Sequence, residues 1–238
     1  MDTTKPTISI VIPTYNEADF IAEVLDHAIH FCEGLCDDYE IIVVDDHSAD
    51  KTADIVEHAT RRNGRIHLIR NRRKIGSHPS ALVGLLSATK NLLVFLPVDL
   101  QIHPSSILPM VRAIDGNDMV IGVRRDRTDH ALKQALTGLY GRAIRLFFGI
   151  QLKDVDGATI YRRELIREIA PRVDPRQPFI PVEIVLRSLR QKKRIHQVEI
   201  EHYPRHAGPH ARIPPRLLLR LPLQFLEFTW RCYRIRTA

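Results

Sequence analysis

The sequence has no run of roughly 18 uncharged apolar residues, so no segment is expected to cross a membrane as a helix. The polar stretch from Met1 to Pro6 leads straight into an apolar strand. It has neither the apolar core of a signal peptide nor the arginine-rich pattern of a transit peptide. Cysteine is scarce, at three residues: Cys32, Cys36 and Cys232. Few cysteines and no export signal make a reducing cytoplasm the expected compartment. Cys32 and Cys36 have no matching Cys/His pair elsewhere, which favours two buried helix cysteines over half of a zinc site. The G-x-x-x-x-G-K-[ST] phosphate loop is missing, as are a G-x-G-x-x-G after the first strand and a G-x-S-x-G elbow. A bound nucleotide must therefore be held by side chains and a metal, not by a glycine-rich cradle.

The chain does have an ordinary globular composition, 44% hydrophobic and 26% charged over 238 residues, enough for one α/β domain. Its net charge of +7 is lopsided: from His202 onward there are seven arginines and one acid, Glu227, leaving +1 on residues 1–201. A balanced body with a basic tail argues for an anionic partner at one end and against a nucleic-acid-coating protein.

Ile8 to Pro13 is a nearly continuous apolar run, as expected of a strand buried on both faces. Further strands are expected at Ile41–Val44, Arg65–Arg70, Leu92–Leu96 and Met119–Gly122. Helices fall between them: one through Phe20 to Ile29, one opened by Ser48-Ala49-Asp50, one near Pro79–Thr89 and one from Pro104. This alternation predicts βαβ units and a mainly parallel sheet flanked by helices. The second half is less regular. It offers a helix over His130–Phe148, a short strand at Ala158–Tyr161, a helix from Arg163 and a strand at Ile195–Tyr203. No repeat or long linker divides the chain.

Three polar clusters cap strands one, two and four, at the edge where open α/β sheets bind ligands. Pro13-Thr14-Tyr15-Asn16-Glu17 offers an aromatic face for a base and a carboxylate for base or ribose donors. Asp45-Asp46 can accept from a nucleobase N–H or a ribose hydroxyl. Asp99 and Gln101 are hard oxygen ligands suited to Mg2+ or Mn2+ on a diphosphate. Asn16 and Asp50 have a plainer reading as helix caps.

These clusters, in order, resemble the opening of family-2 glycosyltransferases: Val11 to Glu17, Val43 to Thr52, then Asn71, Gly76, Ala81 and Gly84, then Asp99 to Pro104. Gly122 to Arg127, Asp154 to Ala158, Tyr161-Arg162-Arg163 and Tyr203-Pro204-Arg205 with Gly208 are similar to the polyprenyl-phosphate (dolichol-phosphate) mannosyltransferase-like branch. The likeness spans roughly residues 7–212, and residues 1–212 are taken as one domain. It implies a GT-A Rossmann-like fold and inverting sugar transfer from a nucleoside-diphosphate sugar, with a divalent metal. By this resemblance Pro13, Tyr15, Glu17, Asp45 and Asp46 line the nucleoside pocket, and Asp99 and Gln101 hold the metal. Arg124 and Arg205 face phosphates. Two departures stand out. Pro97 occupies the first position of the family's Asp-x-Asp, leaving Asp99, with Gln101, the diphosphate and a neighbouring arginine to complete the charge balance. Gly208-Pro209-His210 stands where the family usually offers Ser or Lys.

A polyprenyl phosphate acceptor is already an anion and needs no strong base. A sugar hydroxyl would need one, for which Asp154, Asp156 and Glu183 are the candidates, each with a structural alternative. The catalytic set is thus Asp99, Arg124, Asp154, Asp156 and Arg205. In the tail, residues 213–238, Arg216, Arg220, Gln224, Glu227, Arg231 and Arg234 recur at helical spacing opposite a Leu/Phe/Trp face. That pattern suits an interfacial helix on an anionic membrane. Packing on the domain, or on a second copy in a homodimer, is the alternative. Three functions remain open: a cytoplasmic, membrane-peripheral transferase acting on a lipid-linked acceptor, an inactive nucleotide-sugar-binding adaptor suggested by Pro97, and a nucleotidyltransferase. The last is disfavoured by the missing triphosphate loop.

Overall fold

The computed structural model describes residues 5–125, 131–155, 157–177, 179–203 and 223–232. Its centre is a seven-stranded sheet in the order β3-β2-β1-β4-β6-β5-β7. β1 (Ile8–Thr14) and β2 (Tyr39–Asp45) are buried at every position, as their apolar runs demand. β1 pairs in parallel with β2 on one side and β4 (Leu92–Phe95) on the other, and β3 (Ile66–Arg70) extends the sheet beyond β2. β6 (Thr159–Arg162) runs antiparallel to both β4 and β5 (Met119–Arg124). β5 is therefore parallel to β1 again, and β7 (Ile195–Ile200) pairs with it in parallel. Every strand but β6 ends at the same edge.

Alternate residues feed two cores, as the two-residue period of a strand requires. Ile10, Ile12, Ile41, Val43 and Val94 pack with α1 (Ile21–Leu35), α2 (Thr52–Arg62) and α4 (Leu108–Ala113). Val11, Val44, Leu93, Ile121 and Tyr161 pack with α3 (Ser77–Ser87), α6 (Arg163–Ile169) and α7 (Ile180–Arg190), joined by the end of α5 (Ala131–Phe148). The helix expected from Pro104 is a 3-10 turn, Pro104–Ile107, running into α4. α7 has no counterpart among the sequence expectations. Its residues Ile180, Val182, Ile184, Val185 and Leu186 are buried against the second core, while Leu189 and Arg190 are exposed. Pro181 fits its first turn, where no amide hydrogen is needed.

Of the C-terminal segment, residues 223–232 form a helix, α8. Phe228 and Cys232 enter the second core, and the rings of Phe148, Phe179, Phe225 and Phe228 meet at 5.2–6.2 Å. Arg231, on the polar side by spacing, points inward. Its guanidinium bonds Asp174 Oδ2 and the buried Glu183 Oε2, both at 2.7 Å. Arg187 bonds the other oxygen of Glu183, with Nη2 at 2.6 Å. Unpaired, that carboxylate would be costly to bury, which explains why an arginine of the polar stripe turns toward the protein. Cys32 and Cys36 are both buried in α1 and its cap, as expected, and Cys36 Sγ donates to the Cys32 carbonyl at 3.3 Å.

Gly84 sets how closely α3 lies on the sheet. A Cβ there would sit 2.4 Å from Val11 Cγ1 and 3.0 Å from Val44 Cγ2, both on rigid β-branched residues. Gly84→Ala is expected to destabilise the fold by about 1–3 kcal/mol through overpacking. Chemical denaturation would read this as a lower midpoint, and an unchanged midpoint would show that α3 has slack.

Candidate active site

The common direction of β1, β2, β4, β5 and β7 brings their trailing loops together, with the loop entering β6 among them. Tyr15, Glu17, Asp45, Asp46, Asp99, Gln101, Arg124 and Asp154 all lie on this edge, and the sequence had placed only the first six. Tyr203, after β7, is tied in by its amide, which donates to the Gln101 carbonyl at 2.8 Å. Asp156 and Arg205 lie outside the described residues.

Backbone strain marks the same edge. Four non-glycine residues among those described have positive φ, and three of them, Asn16 (54°), His47 (67°) and Leu100 (53°), follow β1, β2 and β4. A buried leucine held in the left-handed region is unfavourable, and such conformations persist where surrounding structure enforces them, often at functional sites. Asn16 does not cap α1, which starts later. Its amide donates to Ser48 Oγ at 2.9 Å and its Oδ1 accepts from the Ala49 amide at 2.8 Å, latching the β1 loop to the β2 loop. Asp50 accepts from the Thr52 amide (3.0 Å), as a capping side chain does, and from the Ala18 amide (3.1 Å). Burial raises the Asp50 pKa, but these bonds and the Thr52 hydroxyl outweigh it and hold the carboxyl below its usual range. Thr52 Oγ1 in turn accepts from the Glu17 amide at 2.9 Å. Three loop strands of polar contacts thus fix where Tyr15 and Glu17 stand.

The Asp45-Asp46 pair is inward-facing. Asp45 is fully buried, accepts from the Ser48 amide at 3.2 Å and lies 3.6 Å from Arg70. Asp46 Oδ1 accepts from the Ile75 amide (2.8 Å) and Asn71 Nδ2 (3.0 Å), and its Oδ2 from the Gly76 amide (2.7 Å). Asp46 therefore organises the loop from β3 to α3, with Gly76 at φ 105° making the turn that only glycine adopts easily. Sequence reading assigned Asp46 to the ligand alone and missed this loop. The signal was present in Asn71 and Gly76, five residues apart just ahead of a helix.

Asp99 follows β4 and is half-buried, its Oδ1 accepting from the Gln101 amide at 3.3 Å. Pro97 leaves it the sole acid of that turn. Among the described residues no group of three or more His, Cys, Asp or Glu could cage a metal. Asp99 and Gln101 offer one carboxylate and one amide oxygen, a set that could hold a hard cation only together with phosphate oxygens of a ligand. Across the edge, Arg124 at the end of β5 bonds both oxygens of Asp154, at 3.0 and 3.4 Å. The Asp154 loop is braced as well. Its carbonyl accepts from Gln197 Nε2 at 2.9 Å, and a Cβ on Gly157 would be 2.4 Å from the Gly122 carbonyl oxygen. Glu183, the other carboxylate offered as a base, is buried beneath α8 and held by Arg187 and Arg231.

An α/β sheet with this strand order, presenting an aromatic, carboxylates and a braced guanidinium at its carboxyl edge, is of the GT-A type. The glycosyl transferase family 2 model matches residues 9–170, and the chain belongs to that family. The undecaprenyl-phosphate 4-deoxy-4-formamido-L-arabinose transferase of Edwardsiella ictaluri is 32% identical over 205 residues, covering 84% of this chain and 61% of that protein. The chain therefore spans about three fifths of that relative's length. Among solved structures, Mycobacterium tuberculosis glucosyl-3-phosphoglycerate synthase, in complex with Mn2+, UDP-glucose and phosphoglyceric acid, superposes with a TM-score of 0.67 at 20% identity, covering 95% of this chain and 80% of that one. The mannosyltransferase PcManGT from Pyrobaculum calidifontis, in complex with GDP-Man and Mn2+, gives 0.63 at 19% identity, over 86% of this chain and 59% of that one. At these identities the two structures speak for the fold.

If Asp46 holds the β3–α3 loop, Asp46→Asn should leave one of three donors unsatisfied and cost about 1–3 kcal/mol. Hydrogen exchange at the Ile75 and Gly76 amides should quicken in parallel. Unaltered exchange there would mean the loop is held by something else.

Proposed function

We propose that the chain transfers a sugar, with inversion, from a GDP- or UDP-linked donor to a polyprenyl phosphate or similar lipid-linked acceptor at the cytoplasmic face of a membrane. The observation that carries this reading is the convergence of Tyr15, Asp99 and the Arg124–Asp154 pair on one sheet edge. In it, Pro13, Tyr15, Glu17, Asp45 and Asp46 form the nucleoside side of the site, Asp46 acting through the loop it holds. A divalent cation, Mg2+ or Mn2+, bound by Asp99 and Gln101 would neutralise the leaving diphosphate. Arg124, pre-oriented by Asp154, and Arg205 face phosphate oxygens. Asp156 shares the Asp154 turn.

The Arg124–Asp154 pairing also bears on the acceptor. Both oxygens of Asp154 are engaged by the Arg124 guanidinium, an arrangement that suits an acceptor arriving as an anion better than one that must first give up a proton. Its phosphate oxygen attacks the anomeric carbon opposite the departing diphosphate, and positioning with charge neutralisation does the rest. The Edwardsiella relative, whose name specifies undecaprenyl phosphate, is consistent with this choice.

α8 supports membrane contact. Its Leu223, Leu226 and Trp230 are exposed, with Leu146 and Phe147 of α5 exposed alongside. No helix among the described residues is long and apolar enough to cross a membrane, so the contact proposed is peripheral. The arginines at 205, 212, 216, 220, 234 and 236 lie outside the described residues and enter as sequence charge alone. Pro97 favours a second reading, a binding subunit without turnover.

Transfer from UDP- and GDP-sugars to a polyprenyl phosphate, with Mn2+ or Mg2+, separates the two readings. Turnover is expected with at least one donor, and Asp99→Ala should lower kcat/KM by roughly 100-fold. Tight donor binding with no turnover for any pairing would favour the subunit. For the membrane, the double variant Leu226→Ser, Trp230→Ser should weaken binding to anionic vesicles by roughly tenfold or more without unfolding the protein. Equal binding would leave α8 a packing role only.

A further inference from the structure

From His58 to Val98 the chain contains no aspartate or glutamate, while Arg70, Arg72, Arg73 and Lys74 crowd into five positions of it. These four residues end β3 and form the loop that Asp46 fixes, and all four are exposed. Lys74 lies immediately before the two amides that Asp46 holds, so the root of its side chain is fixed while its stem is free. Its ammonium sits 3.3 Å from the centroid of the Tyr15 ring. Among the described residues it meets no carboxylate within salt-bridge distance. The aromatic face suited to a base is thus covered by a lysine, next to the turn in which Asp99 is the only acid.

We propose that Lys74 is a donor-phosphate ligand that leaves the Tyr15 ring when the base stacks there and then neutralises the diphosphate, sharing the charge load with the cation held by Asp99. The idea rests on the donor reading above, and it follows from three features of the edge. β1 lies directly between β2 and β4, so Tyr15 adjoins both the Asp46 loop and the Pro97–Asp99 turn. A cation over an aromatic ring is only weakly held at an exposed site, so a stacking base displaces it readily. A lysine carries its charge on a flexible four-carbon stem, and a displaced ammonium stays tethered close to the phosphates that follow the base. A turn with the single carboxylate of Asp99 holds a cation weakly, and a tethered ammonium supplies positive charge that does not depend on that cation. Nucleotide affinity then depends less on metal than an Asp-x-Asp site would require.

The test is UDP and GDP binding by titration calorimetry to wild type, Lys74→Met and Lys74→Arg, each in EDTA and in Mn2+, with uridine and guanosine as phosphate-free controls. Wild type should bind one of the diphosphates in EDTA. Lys74→Met should weaken that binding by roughly tenfold or more, the loss of one charge-assisted contact. Lys74→Arg should retain most of it, and the bare nucleoside should bind Lys74→Met at least as well as wild type because the ring is uncovered. Lys74 is exposed, so both variants should keep the wild-type melting temperature. Diphosphate binding by Lys74→Met within twofold of wild type in EDTA would overturn the proposal. So would wild-type binding that requires Mn2+, although the donor reading would then stand. Wild type that binds neither nucleotide under either condition would defeat both.

Discussion

The backbone hydrogen bonding of β1 to β2 on one side and β4 on the other is the constraint on which the rest depends. Parallel pairing forces each connection to cross a face of the sheet, which puts helices on both sides and all trailing loops on one edge. The direction is kept further along, because the antiparallel β6 is bracketed by β4 and β5 and so returns β5 and β7 to it. A site assembled from five loops needs no glycine cradle. It needs loops that do not move.

Much of the polar chemistry at that edge is spent on holding those loops. Asn16, Asp50 and Thr52 bind the β1 loop to the β2 loop, and Asp46 gathers the β3–α3 loop through three donors. Left-handed backbone at Asn16, His47 and Leu100 is kept by these contacts and by the burial of Leu100. On the reading proposed above, the groups left to meet the diphosphate and its sugar are few: the Tyr15 ring, Asp99 with Gln101, and the braced Arg124. Such preorganisation is what electrostatic catalysis on a diphosphate asks for, since fixed groups need not reorient as charge develops.

The first half of the fold was legible because fully buried parallel strands write themselves as apolar runs. Ile8–Thr14 and Tyr39–Asp45 are plain in the sequence for that reason. The contribution of β5 and β7 to the same edge was not, since it depends on the single reversed strand β6 and no local pattern encodes strand order. α7 was missed although Val182, Val185 and Leu186 follow helical spacing in the sequence, with Pro181 suited to the first turn. In the tail the helical period was readable but the buried side was not fully so. Arg231 counts as polar in any periodic scheme, yet Glu183, forty-eight residues away, draws it inward. Asp46 was read as a nucleoside ligand, and its bonds to the Ile75 and Gly76 amides are long-range facts that spacing does not convey.

In the function proposed above, one sheet edge, and no other surface, receives the nucleoside diphosphate. Amide chemical shifts followed while UDP or GDP is titrated in the presence of Mg2+ test it most directly. The largest changes should fall on Tyr15 to Glu17, Asp46 to Ser48, Lys74 to Gly76 and Asp99 to Gln101, segments far apart in sequence that share only that edge. Saturable binding whose shifts centre elsewhere, for instance on α6 and α7, would contradict the account.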